Sequence, residues 1–170
     1  MVTPPPLTPL AAAVLHIQPA PERVLEIECG DGDGALFLAR EYPAARVRGV
    51  DRSEERVRAA TARIGLDPEG RVAFKVGSPR SLPYPDDFFD LVVEIDGRPR
   101  VSEIARVLRP GGHLILARSR PGGGSGALGA WRLRRGLASS GIEPVEAADA
   151  GDGSFSVGRL RGDDRAAGGD

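Results

Sequence analysis

Val24-Leu25-Glu26-Ile27-Glu28-Cys29-Gly30-Asp31-Gly32-Asp33-Gly34-Ala35 is the stretch that decides how this chain folds. A short apolar run of strand character leads into a turn with glycines at 30, 32 and 34, and a helical stretch over 34–41 follows at once. Glycines in such a turn admit positive φ and let a ligand lie against bare backbone. The start of the helix adds N–H groups that have no partner within the helix. A second apolar run, 46–50, ends in Asp51, twenty-one residues after Gly30. A carboxylate at that place can accept hydrogen bonds from both hydroxyls of a ribose.

Working outward, strand and helix keep alternating. Ser53 reads as the N-cap of a helix with Glu54 and Glu55 in its first turn, where the helix dipole favours acids, and Gly65 suits its C-terminal end. Further strands are expected at 72–76 and 90–95, then a helix over 100–107 stopped by Arg109-Pro110-Gly111-Gly112, and a fifth strand over 114–117. These strands are nearly unbroken apolar runs, as parallel strands covered on both faces require, so the expected class is an open α/β sheet. After the loop PGGGSG at 121–126, flexible by composition, the sequence predicts a helix over 127–139 ended by Gly141. Two more strands are expected at 142–147 and 154–160, the latter alternating with Phe155 and Val157 on one face. At the N-terminus a Pro-rich irregular stretch, 1–7, precedes a short helix capped by Thr8 with Pro9 at its first position and running to about residue 17. Residues 1–161 are expected to form one domain and 162–170 a disordered tail.

Composition narrows the function. The chain has 170 residues and a net charge of -1, without the basic excess of a polyanion-binding protein, so no nucleic-acid partner is expected. Lys75 is the sole lysine among 23 basic residues, which reflects coding bias rather than function. A single cysteine, Cys29, excludes an internal disulfide and a multi-cysteine metal site, and no metal is expected. No apolar run reaches the ~20 residues that cross a bilayer, and the N-terminus lacks the basic start of a secretion signal, so a cytoplasmic location without membrane association is the expectation. The oligomeric state is left open, a homodimer included.

The glycine spacing alone admits two cofactor classes, because Gly30-x-Gly32-x-x-Ala35 also satisfies a dinucleotide fingerprint. Four segments discriminate: VLEIECGDGDG (24–34), VRGVDRSEERV (47–57), LPYPDDFFDLVV (82–93) and EIARVLRPGGHLIL (103–116). With them, the span from about 23 to 161 resembles a class I S-adenosylmethionine-dependent methyltransferase of the methyltransferase-11-like kind. The resemblance implies a Rossmann-like sheet with helices on both faces, strand order 3-2-1-4-5-7-6 and strand seven antiparallel. It implies S-adenosyl-L-methionine as cofactor and a small-molecule methyl acceptor. Carried over by position, Glu26 would help hold the methionine amino group, and Gly30, Asp31 and Gly32 would line the methionine and ribose. Asp51 would bind the ribose hydroxyls, Arg52 would flank the adenine, and Ser78 stands where an aspartate often meets the adenine amino group. Glu94, Ile95 and Asp96 would face the methyl-transfer site, with Glu94 and Asp96 projecting to one side as candidate bases.

Three features depart from the pattern. Glu28 replaces a glycine over which the methionine end should lie; with β-region backbone its carboxylate reaches the cofactor ammonium or sulfonium, and otherwise it fills the pocket. Ser78 offers a neutral acceptor where relatives have an acid. Only nine residues separate Val93 from Glu103, in a segment that often carries substrate contacts. A non-catalytic cofactor- or partner-binding module is therefore the alternative, and a nicotinamide-dependent oxidoreductase a third reading resting on the fingerprint alone. Cys29 reads as a small buried residue, His113 as a satisfied histidine at a strand start, His16 as a marginal candidate on a helix that often covers the cofactor, and the arginines around Trp131 as a solvated helix face.

Overall fold

The computed structural model describes residues 7–67, 69–120 and 126–162. Among these, seven strands form one sheet in the order β3-β2-β1-β4-β5-β7-β6. They are β1 (Arg23–Ile27), β2 (Arg46–Asp51), β3 (Val72–Val76), β4 (Phe89–Ile95), β5 (Leu108–Arg118), β6 (Ile142–Ala150) and β7 (Gly153–Leu160). The first five run parallel, and β7 is antiparallel to both its neighbours. Order and direction are those the resemblance implied.

Alternate strand residues bury opposite faces. Val24, Val47, Val72, Leu91, Val93 and Ile115 pack with Leu10 and Ala13 of α1 (Pro9–Ala13) and Leu38 of α2 (Asp33–Glu41). Leu25, Ile27, Val50, Val92 and Leu114 pack on the other face with Ile104 and Val107 of α4 (Val101–Val107), and α5 (Gly126–Ser139) adds Leu133 and Leu137. Each such side chain removed from water contributes about 1.5–3 kcal/mol before entropy is counted. α3 (Glu54–Ala62) lies against β2 and β3 and is capped as expected, Ser53 Oγ accepting the Arg56 N–H at 3.3 Å.

The crossover from β3 to β4, residues 77–88, is a looped segment with a single bridge between Ser78 and Ser81 rather than a helix. Arg106 of α4 fastens it. Its guanidinium donates to the Leu82 and Tyr84 carbonyls and pairs with Asp86 at 2.8 Å and Glu103 at 2.9 Å, while Glu103 accepts the Leu82 N–H at 2.8 Å. This clasp joins the segments around 82–93 and 103–116.

Several boundaries differ from the sequence reading. The N-terminal helix ends at Ala13 and continues as a 3-10 turn, Val14–His16. α3 ends at Ala62, three residues before Gly65, which has φ +69°. β5 starts at Leu108 rather than 114, because Pro110-Gly111-Gly112 does not end the pairing. Phe89 faces Leu108 and Leu91 faces His113, so residues 109–112 form a bulge, with Gly111 at φ +81°. Opposite the bulge, Asp90 accepts the N–H groups of Glu22 and Arg23, both at 2.8 Å, and pairs with Arg109. β6 runs on to Ala150 because β7 offers partners along its whole length. The expectations for 1–7, 121–126 and 162–170 fall outside the described residues, apart from Leu7, Gly126 and Gly162. Among the described residues no helix is long and apolar enough to cross a membrane.

Candidate functional site

The C-terminal ends of β1, β2 and β4 converge on the glycine bend. After β1 the chain turns tightly: the Cys29 N–H donates to the Val50 carbonyl, and the Gly32 N–H returns to the Cys29 carbonyl at 2.9 Å. Two of the glycines are required by packing. Gly32 has φ +85° and lies so close to Phe74 that an added Cβ would stand 2.7 Å from the ring. At Gly34 a Cβ would stand 2.1 Å from Glu26 Oε1, so the carboxylate of Glu26 fits beneath the first turn of α2 only because residue 34 has no side chain. Gly30, at φ +53°, differs, since an added Cβ would meet nothing within 4 Å. Its backbone is the bare surface of the bend.

Asp51 braces that surface. Its Oδ2 accepts the Gly30 N–H at 3.0 Å and its Oδ1 the Ser53 N–H at 2.9 Å, with the residue only 5% exposed. The carboxylate thus joins the bend to the cap of α3, and each oxygen keeps a further lone pair.

Glu28 is not in the β region: its φ is +53°. A glutamate in left-handed backbone carries a steric cost of roughly 1–2 kcal/mol that glycine avoids. Its Oε1 lies 2.6 Å from Nη2 of Arg52, so the two side chains tie the end of β1 to the end of β2. Arg52, expected beside an adenine, thus reaches back to the bend. Ser78, half-buried after β3, accepts the Arg80 N–H at 3.2 Å within its own turn. The Asp31 carbonyl accepts from Arg63 at 2.8 Å, and Arg63 also pairs with Asp33 at the start of α2.

Two carboxyls are buried without full satisfaction. Glu26 is 3% exposed and its Oε2 has no partner among the described residues. Burial pushes its pKa up to about 8, against the Ala35 N–H bonded to it, with Asp33 and Asp51 raising it further. Glu94 is 2% exposed with neither oxygen paired among the described residues, and burial, helped by Glu28, lifts it to about 7. Gly97 lies directly over it, leaving no room for a Cβ.

Asp96 does not stand beside Glu94. β4 ends at Ile95, and Asp96 takes φ +55°, which ends the alternation that would have placed both side chains on one side. Its Oδ1 accepts the Ser119 N–H at 2.8 Å, so it ties the turn to the end of β5. Arg118 holds the same turn through the Gly97 carbonyl at 2.5 Å.

Cys29 is buried, and burial together with Glu26 and Asp51 raises its thiol to about 12, which disfavours the thiolate at neutral pH. His113 is buried near the start of β4, away from the bend, and burial with Arg159 lowers its pKa. His16 is exposed and rests by the Phe155 ring, centroids 5.6 Å apart.

A feature absent from the sequence reading lies beside the bend. A pocket of about 260 Å³ opens between α1, the start of α2 and the ends of β4 and β5, lined among others by Leu10, Gly34, Phe37, Ile95 and Ala117. These residues are far apart in sequence and of ordinary apolar type, so only the topology brings them together.

Residues 24–112 match the family described as a methyltransferase domain. The fatty-acid O-methyltransferase of Mycolicibacterium smegmatis is 36% identical over 107 residues, which cover 59% of this chain and 38% of that protein. The phthiotriol/phenolphthiotriol dimycocerosates methyltransferase of Mycobacterium leprae is 34% identical over 119 residues, covering 66% and 42%. The match thus spans about two fifths of the length of these curated relatives. Among solved structures, the complex of the Haemonchus contortus phosphoethanolamine N-methyltransferase 2 with S-adenosyl-L-methionine superposes with a TM-score of 0.71 at 17% identity. That superposition covers 89% of this chain and 52% of the other.

Proposed function

The chain belongs to the methyltransferase domain family, and from that premise we propose that it binds S-adenosyl-L-methionine and transfers its methyl group to a small apolar acceptor. One observation carries the reading. The bare backbone at Gly30 is braced by Asp51, and Glu26, packed under Gly34 at the start of α2, has a buried oxygen that lacks a partner among the described residues. A ribose suits the remaining lone pairs of Asp51, whose Oδ2 also faces Arg56 Nη1 at 3.9 Å. An ammonium suits Glu26, whose charge is costly in the absence of a cation. When bound, the cofactor supplies a methyl carbon already activated by its sulfonium. The protein's task is then to hold the acceptor in line with it, which is the larger part of such catalysis.

The pocket between α1, α2 and the ends of β4 and β5 serves as acceptor site in this reading. Its lining of Leu10, Phe37, Ile95 and Ala117 favours an apolar molecule, and two relatives bear the names of methyltransferases of fatty acids and of phthiotriol/phenolphthiotriol dimycocerosates. Glu94, whose pKa of about 7 would suit proton transfer near neutrality, projects from β4 to the face opposite Ile95 and lies under the turn at 96–98, so it does not serve an acceptor seated in this pocket. Asp96 keeps its place as the brace of that turn.

The Glu28–Arg52 pair favours a second reading, a module in which cofactor access is closed. Calorimetric titration with S-adenosylhomocysteine, S-adenosylmethionine and NAD decides. The expected result is binding of the two sulfur nucleosides and at least a tenfold loss in Asp51→Asn, which retains one backbone acceptor but weakens both ribose contacts. Binding of NAD alone overturns the proposal. Binding without methyl transfer to any of a panel of fatty acids, phenols and amines favours the module.

A further inference from the structure

The sheet face covered by α4 and α5 over β4 and β5 is left without a helix over β1 and β2, because the β3–β4 crossover is a loop. Basic side chains gather at the edge of this helix-free part, near the N-terminal ends of the strands and so at the opposite end of the sheet from the glycine bend. In parallel register Arg23 stands beside Arg46 and Leu25 beside Arg48. Arg46 and Arg48, two apart on one strand, project to the same face. These three arginines line a cavity of about 680 Å³ with Glu22, Phe88 and Phe89.

Two of the cations are held in place. The Arg23 guanidinium lies 4.6 Å from the centroid of the Phe88 ring. Arg48 donates to the carbonyls of Val47 at 3.0 Å and Arg71 at 2.9 Å. Among the described residues none of the three forms an ion pair with a carboxylate, and the adjacent Asp90 is engaged by two backbone N–H groups and Arg109. Like charges on neighbouring strands destabilise a sheet unless a counter-charge joins them. Guanidinium groups cannot shed their protons, and their fixed forks match phosphate oxygens.

We propose that this cavity is an anion site that takes the diphosphate group of a small molecule, separate from the proposed cofactor site. Three arginines against one glutamate leave an excess of about two positive charges, and the volume exceeds what a single phosphate fills. The excess is local, which is why the overall charge of -1 gave no sign of it.

Titration calorimetry of the full chain with inorganic pyrophosphate at low salt tests this. The expected result is saturable binding that weakens about tenfold in Arg46→Ala and in Arg23→Ala, with no change in Arg132→Ala on α5. Arg46 is exposed, so its truncation spares the core and the test survives if Arg23→Ala folds poorly. S-adenosylhomocysteine affinity should be the same in all of these variants, which separates this proposal from the one above. Absence of saturable binding, equal affinity for sulfate, or the same loss in Arg132→Ala would overturn it.

Discussion

Glu28 holds the most consequential position at the residue scale. It sits at φ +53° where the family pattern has glycine, and its ion pair with Arg52 crosses the bend. The pair is partly exposed and worth at most about 1 kcal/mol, so a bound cofactor can displace it at small cost. Glu28→Gly should therefore bind S-adenosylhomocysteine up to about fivefold more tightly, since it removes the competing pair; calorimetry reads this directly. Equal or weaker binding would mean that the carboxylate itself helps hold the ligand. The identity of residue 28 was plain in the sequence, but its backbone angle was not, because it follows from the Cys29 and Gly30 hydrogen bonds that close the turn.

Glu26 and Glu94 carry a pH dependence. Each has an ordinary value near 4.5, and in the fold they titrate at about 8 and about 7. Between those limits the folded chain holds more protons than the unfolded one, so the stability they contribute is present in acid and lost as pH rises toward 8. Urea unfolding without ligand should show a loss of several kcal/mol, of the order of 1.4 per pKa unit, between about pH 5 and about pH 8.5. Glu26→Gln and Glu94→Gln should each flatten the slope. A profile that climbs over this range would contradict the burial of unpaired carboxyls.

At the scale of elements, the Arg106 clasp joins α4 to a crossover that has no helix of its own. Arg106→Ala leaves the Leu82 and Tyr84 carbonyls short of a donor and Glu103 short of its cation, so a loss of about 2–4 kcal/mol is expected in urea unfolding. Arg106→Lys should recover only part of it, since one ammonium cannot serve four partners arranged for a planar fork. Full recovery by lysine would reduce the clasp to a simple charge effect. The elements themselves were legible, because buried parallel strands leave apolar runs and caps leave Ser53 and Thr8. The start of β5 was not, since Pro110-Gly111-Gly112 carries every local mark of a stop and only the pairing with β4 turns it into a bulge. Asp96 was misplaced for a similar reason: period-two alternation holds only while the strand continues.

Across the whole molecule, the sheet separates two kinds of chemistry. Acidic and glycine residues occupy the C-terminal ends of the strands, and arginines the N-terminal ends of β1 and β2. Strand order was legible through four sequence segments that together mark the family. The pocket beside the bend and the arginine cavity were not, because both are assembled from residues distant in sequence whose types are individually unremarkable. A crystal structure of the chain grown with S-adenosylhomocysteine tests the central claim most directly. The account predicts the ribose hydroxyls within hydrogen-bond reach of Asp51, the amino group at Glu26, and Glu28 parted from Arg52. Glu28 still joined to Arg52 across the bend, with no nucleoside density at saturating ligand, would contradict it.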